Sequence, residues 1–302
     1  MIKVRRMGHA TFETADLDRQ IEYYTQVTGL ALIAREKGRA FLAARAGTLA
    51  IELRQATEKR CAQLSFQVAP DEDFADMAKR LAADGIKSDI KSDAMPGTPK
   101  VISFQDPKGT TIELFNQWSY VGNQEQVIGV GPLKLGHCAF IVPDPKKMAD
   151  FYAEVLGFRV SDWIGDFFVF LRCNADHHTV NFIGGNAPVM HHIAFEVRDF
   201  SHLQNACDLL GHKNIPISWG PARLGPGHNV AVFHRNHDDW RVEFYAELDQ
   251  MKDEEEGAWE ARPWHPTNPL KPRMWTRPEA APCWGMGPSE DFRRNGNQHL
   301  NA

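Results

Sequence analysis

The chain repeats itself, and this limits its fold more than any single motif does. The stretch MGHATFETADLDRQIEYYTQVTGLAL, from Met7, aligns with LGHCAFIVPDPKKMADFYAEVLGFRV, from Leu135. Gly8, His9, Tyr24, Val27 and Gly29 meet Gly136, His137, Tyr152, Val155 and Gly157 at a constant offset of 128 residues. Farther on, AQLSFQV (62–68) aligns with HHIAFEV (191–197) and TIELF (111–115) with RVEFY (241–245), at offsets of 129 and 130. A period of this kind fixes architecture before any motif is weighed. Two tandem domains are expected, 1–128 and 129–250, followed by an extension over 251–302.

Each copy divides again. GHCAFIV has the apolar character of a strand, and PDPKKMADFYAEVLG that of an amphipathic helix. Asp144 is its expected N-cap, Met148, Phe151, Tyr152 and Val155 share one face, and Gly157 stops it. FFVFLR and HTVNFI follow as strands, and HHIAFEV, DFSHLQNACDLLG, HNVAVFH and RVEFYAEL restart the order. One strand, one helix and about three strands, four times over, make an α+β protein.

Composition excludes several classes. Of 302 residues 43% are hydrophobic and 24% charged, which suits an ordinary globular protein with a real core. With a net charge of −5 and no basic cluster, nucleic acid is not an expected partner. No apolar run approaches the roughly 20 residues that span a bilayer, and MIKVRRMGHATFE lacks the apolar segment of a secretion signal. The five cysteines (Cys61, Cys138, Cys173, Cys207, Cys283) are scattered and never form C-x-x-C, which fits reduced thiols in a cytoplasmic protein. From about Lys252 an acidic run, DEEEG, leads into Pro- and Trp-rich sequence with little periodicity. Trp259, Trp264, Trp275 and Trp284 argue for a docked irregular tail over a solvated one, with a neighbouring subunit of a homo-oligomer as one surface for it.

In the second copy, repeat-aligned strands carry His137, His192 and Glu243. Two imidazoles and a carboxylate on one face of a metal leave three coordination positions open, as a non-heme Fe(II) oxygenase requires to hold substrate and dioxygen together. A lone strand histidine is more often a core or surface residue; three repeat-aligned positions shift the balance. Neighbouring strand residues face opposite sides, so only one of His191 and His192 can reach the metal; His192 shares the parity of Ala194 and Glu196, and its choice rests partly on the resemblance given below. The first copy carries His9, Gln63 and Glu113 at matching positions. A carboxamide is a poor replacement for imidazole, so that copy is expected to be metal-free.

LGHCAFIVPD, CNADHHTVNF with HHIAFEV, GPARLGPGHN and RVEFYAEL, in this order over residues 5–248, resemble the vicinal oxygen chelate superfamily, specifically its two-domain extradiol ring-cleavage dioxygenases. The resemblance implies βαβββ modules paired into cupped mixed sheets, with iron in the C-terminal domain only, held by His137, His192 and Glu243. It implies an Fe(II) enzyme, Mn(II) being an alternative, that inserts both atoms of O2 into a catechol-type aromatic diol with meta cleavage in aromatic degradation. His178 takes the place of the family's acid–base histidine. The sequence departs from the pattern at Leu224, where the family has histidine, and at Phe233, where it has tyrosine; His228 and His234 are candidates to compensate, His228 in an acid–base role. Phe168, Leu224, Phe233, His234 and Trp240 are expected against the substrate, with Asp166 and Phe167 nearby. Alternatives within the fold are a 4-hydroxyphenylpyruvate-like keto-acid dioxygenase, a non-catalytic small-molecule binding protein and a glyoxalase-like isomerase.

Overall fold

The computed structural model describes residues 1–122, 128–255, 257–259, 262, 264 and 270–294, with backbone alone at 93, 94, 293 and 294. Glu256 of the acidic run and the chain beyond residue 294 lie outside the described residues. The first copy contains β1 (Val4–Thr14), α1 (Leu17–Tyr23), continued by a π-helical turn at Tyr24–Thr28, then β2 (Ala31–Glu36), β3 (Arg39–Ala43) and β4 (Leu49–Gln55). It then repeats the order with β5 (Arg60–Val68), α2 (Phe74–Ala83), β6 (Asp89–Met95), β7 (Thr98–Gln105) and β8 (Thr111–Phe115). The second copy matches it element by element. It has β9 (Lys134–Val142), α3 (Pro145–Leu156), β10 (Arg159–Ile164), β11 (Phe168–Arg172) and β12 (Val180–Gly184). After these come β13 (Val189–Glu196), α4 (Phe200–His212), β14 (Ile217–Arg223), β15 (Val230–Arg235) and β16 (Arg241–Ala246).

Strand order makes the duplication physical. The first sheet runs β2-β3-β4-β1-β5-β8-β7-β6, and the second contains β10-β11-β12-β9-β13-β16-β15-β14. In each, the two module-opening strands pair antiparallel at the centre, β1 with β5 and β9 with β13, while each opening strand lies parallel to the last strand of its own module. Helix ends follow the local chemistry of the sequence. The Asp144 side chain accepts from the Lys147 N–H, Pro145 begins α3, and Gly157 leaves it with φ +70°, a left-handed conformation that costs glycine little. Met148, Tyr152 and Val155 are buried beneath that helix.

Alternation along the strands sorts the two faces of the second sheet. Val169 and Leu171 of β11, Val180 and Phe182 of β12, and Val242 and Phe244 of β16 enter the main hydrophobic core. Phe168, Phe170, Asn181, Ile183 and Glu243 face a cavity on the opposite side. The core is continuous across both copies, and Trp240 packs on Phe12 of β1 with ring centroids 4.9 Å apart.

The extension is more ordered than its composition suggests. It forms β17 (Met251–Asp253), β18 (Ala258–Trp259), β19 (Arg273–Trp275), β20 (Trp284–Gly285) and α5 (Glu290–Arg294). β19 pairs in parallel with β10 and β20 antiparallel with β14, so the tail adds a strand to each edge of the second sheet. Open sheet edges invite unwanted pairing, and the tail caps both. Trp259 and Trp275 are buried at 2% and 5% exposure, whereas Trp264 and Trp284 stand about half exposed at 51% and 47%. The tail therefore docks on its own chain, with two of its four indoles as anchors. No helix among the described residues is long and apolar enough to cross a membrane.

Candidate metal centre and its cavity

Three buried side chains from three central strands converge: His137 on β9, His192 on β13 and Glu243 on β16. The Nε2 atoms of His137 and His192 are 3.1 Å apart, and each lies 3.2 Å from Glu243 Oε2. Ligands about 2.1 Å from a metal and at right angles to one another are separated by about 3 Å, so this triangle has the dimensions of one octahedral face. With both Nε2 atoms free of hydrogen, three lone pairs at such distances repel unless a cation lies between them. Among the described residues this is the one cluster of imidazole, thiol and carboxylate groups with that convergence. The donor set fits a divalent first-row metal.

Hydrogen bonds orient two of the three ligands. Glu243 Oε1 accepts from Asn229 Nδ2 at 2.8 Å, leaving Oε2 for the imidazoles. His192 Nδ1 lies 2.6 Å from His191 Nδ1, a contact in which one ring donates and which leaves His192 Nε2 directed at the cluster. Burial, followed by the neighbouring His191, His137 and Arg241, holds the His192 imidazole well below its ordinary pKa, so it is neutral and able to ligate. The Tyr245 ring packs beside His137 at 5.0 Å, and Gly136 makes room: a Cβ there would fall 1.9 Å from the tyrosine oxygen.

The cluster opens on a cavity of about 300 Å³. Its walls are mostly aromatic, from Phe168 and Phe170 on β11, Trp219 and Phe233 on β14 and β15, and Phe292 on α5. Phe233 stacks on Trp219 at 5.1 Å, and fully buried Phe292 packs against both. Leu224 lines the same space, as does Arg277, whose guanidinium lies over the Phe167 ring. His178 faces the cavity with its ring 4.3 Å from that of His137. Burial first, then His137, His177 and His192, hold it well below the ordinary histidine pKa, and it is neutral.

Of the residues singled out in the sequence, the structure brings together His137, His192, Glu243, His178, Phe167, Phe168, Leu224 and Phe233. Three lie elsewhere. His228 sits in a turn at φ +46°, its Nδ1 2.6 Å from Asp249 Oδ2 and its ring against Trp275 of the tail. His234 stacks on Phe244 and its Nε2 lies 2.5 Å from the Tyr23 hydroxyl; it joins the two domains, and burial lowers its pKa to about 3. Trp240 packs on Phe12, as above. Neither His228 nor His234 lines the cavity beside Leu224 and Phe233. Asp166 does not line the cavity either.

The structure adds residues that the sequence left unmarked. Asn229 and Asn181 are polar groups of the cavity, each with a buried Oδ1 lacking a hydrogen-bond partner. His191, weighed against His192 in the sequence, lines it as well, because the β13–β9 register slips between Met190 and His192 and lets consecutive histidines reach one side. Phe292 could not be anticipated, lying in aperiodic tail sequence far from the motifs.

Comparison with known proteins agrees with this architecture. The family model of the glyoxalase/bleomycin resistance protein/dioxygenase superfamily matches residues 6–114 and again 134–244, once per copy. The chain belongs to that superfamily. It is 28% identical over 299 residues to the biphenyl-2,3-diol 1,2-dioxygenase of Paraburkholderia xenovorans (strain LB400), covering 91% of this chain and 95% of that one. Its fold matches a Mn(II)-bound glyoxalase from Novosphingobium aromaticivorans, with TM-score 0.83, 23% identity and coverage of 97% and 94%. It also matches homoprotocatechuate 2,3-dioxygenase from Brevibacterium fuscum in complex with 3,4-dihydroxyphenylacetate, with TM-score 0.82, 20% identity and coverage of 98% and 93%.

Proposed function

We propose that this chain is a non-heme Fe(II) extradiol dioxygenase that opens a catechol-type aromatic ring beside its two hydroxyl-bearing carbons, both atoms of O2 entering the product. The observation that carries the reading is the 3.1–3.2 Å triangle of His137, His192 and Glu243 atoms at the wall of an aromatic cavity. These three residues would hold the metal, and the same donors accept Mn(II). Fe(II) held there would supply Lewis acidity and redox capacity toward diol and dioxygen. The biphenyl-2,3-diol 1,2-dioxygenase named above supports the diol as substrate class.

The chain's own groups do the rest. His178, neutral and facing the cavity beside His137, accepts a proton from the diol and can return it later. Phe168, Phe170 and Phe233 hold the ring and exclude water, and Leu224 and Phe233, the latter with its ring 5.6 Å from that of His192, make their part of the wall apolar. That wall favours a diol with an apolar substituent over one that needs hydrogen bonds there. Asn229 keeps Glu243 oriented. We place the protein in the cytoplasm as a homo-oligomer; its five free cysteines suit a reducing compartment.

The test is oxygen uptake by anaerobically prepared, Fe(II)-loaded protein against catechols, biaryl diols and trihydroxybenzenes, with His192→Ala as control. Uptake with a yellow ring-opened product, lost in the variant, is expected. Uptake that requires a 2-oxo acid would move the protein to the keto-acid dioxygenases, and failure to retain iron would make it a ligand-binding member of the superfamily.

A further inference from the structure

Behind His178 lies a buried chain of polar groups that the proposed chemistry does not yet use. His178 Nδ1 is 3.0 Å from His177 Nδ1, and His177 Nε2 is 3.0 Å from Asp162 Oδ2. Asp162 and His177 are at most 2% exposed. The other carboxylate oxygen, Asp162 Oδ1, accepts the backbone N–H of Arg273 at 2.8 Å, where β19 of the tail pairs with β10. Trp259 of the tail covers the His177 ring at 5.0 Å. Asp162 reaches inward because the β10–β11 register slips between Val160 and Asp162.

Donor and acceptor bookkeeping then fixes the protons. An ionised carboxylate only accepts, so His177 Nε2 carries hydrogen toward Asp162. With one hydrogen on each ring, His177 presents a lone pair at Nδ1 and His178 Nδ1 donates to it. His178 Nε2 is left as a lone pair in the cavity, and no described residue hydrogen-bonds it. We propose that Asp162 and His177 are positioning residues that lock His178 in the tautomer and ring orientation needed to accept a diol proton, and that the C-terminal extension completes this chain. The inference rests on the extradiol reading for its chemistry but not for its geometry.

The first copy supports a role beyond packing. Its β2–β3 register slips at the equivalent place, between Leu32 and Ala34, and the residue paired with Phe41 is Ala34, where the second copy pairs Asp162 with Phe170. The bulge is common to both copies; the carboxylate is confined to the copy with the metal cluster.

Asp162→Asn gives a sharp test. The Arg273 N–H keeps an oxygen at Oδ1, so the amide nitrogen takes the place facing His177 Nε2 and donates to it. His177 Nδ1 then carries hydrogen, and His178 is forced to hold its proton at Nε2. In full-length protein loaded with diamagnetic Zn(II) and labelled with 15N-histidine, wild-type His178, assigned by difference with His178→Gln, should show a protonated Nδ1 and a bare Nε2. Asp162→Asn should invert them. With Fe(II), the same variant should lower kcat by ~100-fold while diol KM stays within about threefold and iron content is unchanged. Should Asp162→Asn fail to fold, His177→Phe removes the acceptor and should leave His178 as a mixture of tautomers. A wild-type His178 protonated at Nε2, or an Asp162→Asn variant with tautomer and kcat unchanged, overturns the proposal. Because the tautomer is read without turnover, a protein that cleaves no diol would sink the extradiol reading and leave this result standing.

Discussion

The two copies share one backbone plan and use the corresponding side of the sheet in opposite ways. In the second copy, Phe168 pairs with Ile183 and Phe170 with Asn181, and these four side chains border an open cavity. At the register-equivalent positions the first copy pairs Arg39 with Arg54 and Phe41 with Glu52. Both arginines donate to Glu52 Oε1, at 2.7 and 2.8 Å, and Thr11 donates to its Oε2. Burial opposes ionisation of Glu52, but hydrogen bonds from Arg54, Thr11 and Arg39 outweigh it and hold its carboxyl below the usual range. A charge network thus fills the space that aromatic walls leave open. The counterpart of the metal cluster is also slack: His9 Nε2 is 3.9 Å from Glu113 Oε2, and Gln63 stands in place of the second imidazole. Burial, partly offset by Glu52, takes the His9 pKa down to about 4, and burial takes Glu113 up to about 7. Duplication preserved the scaffold, and the candidate metal-ligand cluster of the described residues lies in one half.

Making the second copy resemble the first should have the largest effect. His192→Gln installs the residue that stands at Gln63, and metal affinity should fall by at least about 100-fold, more than loss of a supporting group costs. Metal analysis after desalting reads this directly, and retained iron would mean that the triangle is not the binding site. Phe292→Ala removes the tail's contribution to the cavity wall. Diol KM should rise about tenfold, equivalent to about 1.4 kcal/mol, with a smaller change in kcat; an unchanged KM would separate the tail from substrate binding.

A change in the first copy probes its buried neutral pair. Glu113 has a folded pKa above its unfolded value, so its contribution to stability is intact below pH 4.5 and is lost as pH rises through about 7. Glu113→Gln should therefore stabilise the protein at pH 8 by up to about 3 kcal/mol, with little difference at pH 4.5, as followed by urea denaturation. His9 has the opposite sign: its folded pKa is depressed, so its contribution is present above pH 6.5 and is lost as pH falls through about 4. Equal gains for Glu113→Gln at both pH values would refute the protonation argument. The smallest expected effect is that of Gln63→His. It restores the missing imidazole, yet the Arg39–Glu52–Arg54 network still fills the space, so metal content should stay at one per chain. A second equivalent would show that the ligand change alone silenced this copy.

The repeat made the fold legible, because a constant offset identifies equivalent strands without any knowledge of their pairing. It also made His137, His192 and Glu243 legible, since each sits on a strand that the repeat brings to the centre of the sheet. Strand parity favoured His192 over His191, but the register slip beside Met190 brings His191 to the cavity too, and a bulge leaves no trace in a two-residue alternation. His228 and His234 looked available because they lie close in sequence to the expected site. A left-handed turn and the Asp249 carboxylate capture the first, and the Tyr23 hydroxyl from the other domain captures the second. Asp162, His177 and Phe292 were hidden for another reason: their roles depend on contacts between distant segments, in part with a tail whose pairing to both sheet edges has no periodic signature.

The most direct test of the central claim asks whether one metal in the second copy has room for both diol and a diatomic gas. Nitric oxide would be added to anaerobic Fe(II)-loaded protein as a stand-in for dioxygen, and the iron–nitrosyl signal recorded by electron paramagnetic resonance with and without a catechol. Three protein ligands leave three positions open, so a signal should form, shift when the diol binds beside it, and be absent in His192→Gln. A signal indifferent to every diol, or one that survives loss of His192, would contradict the account.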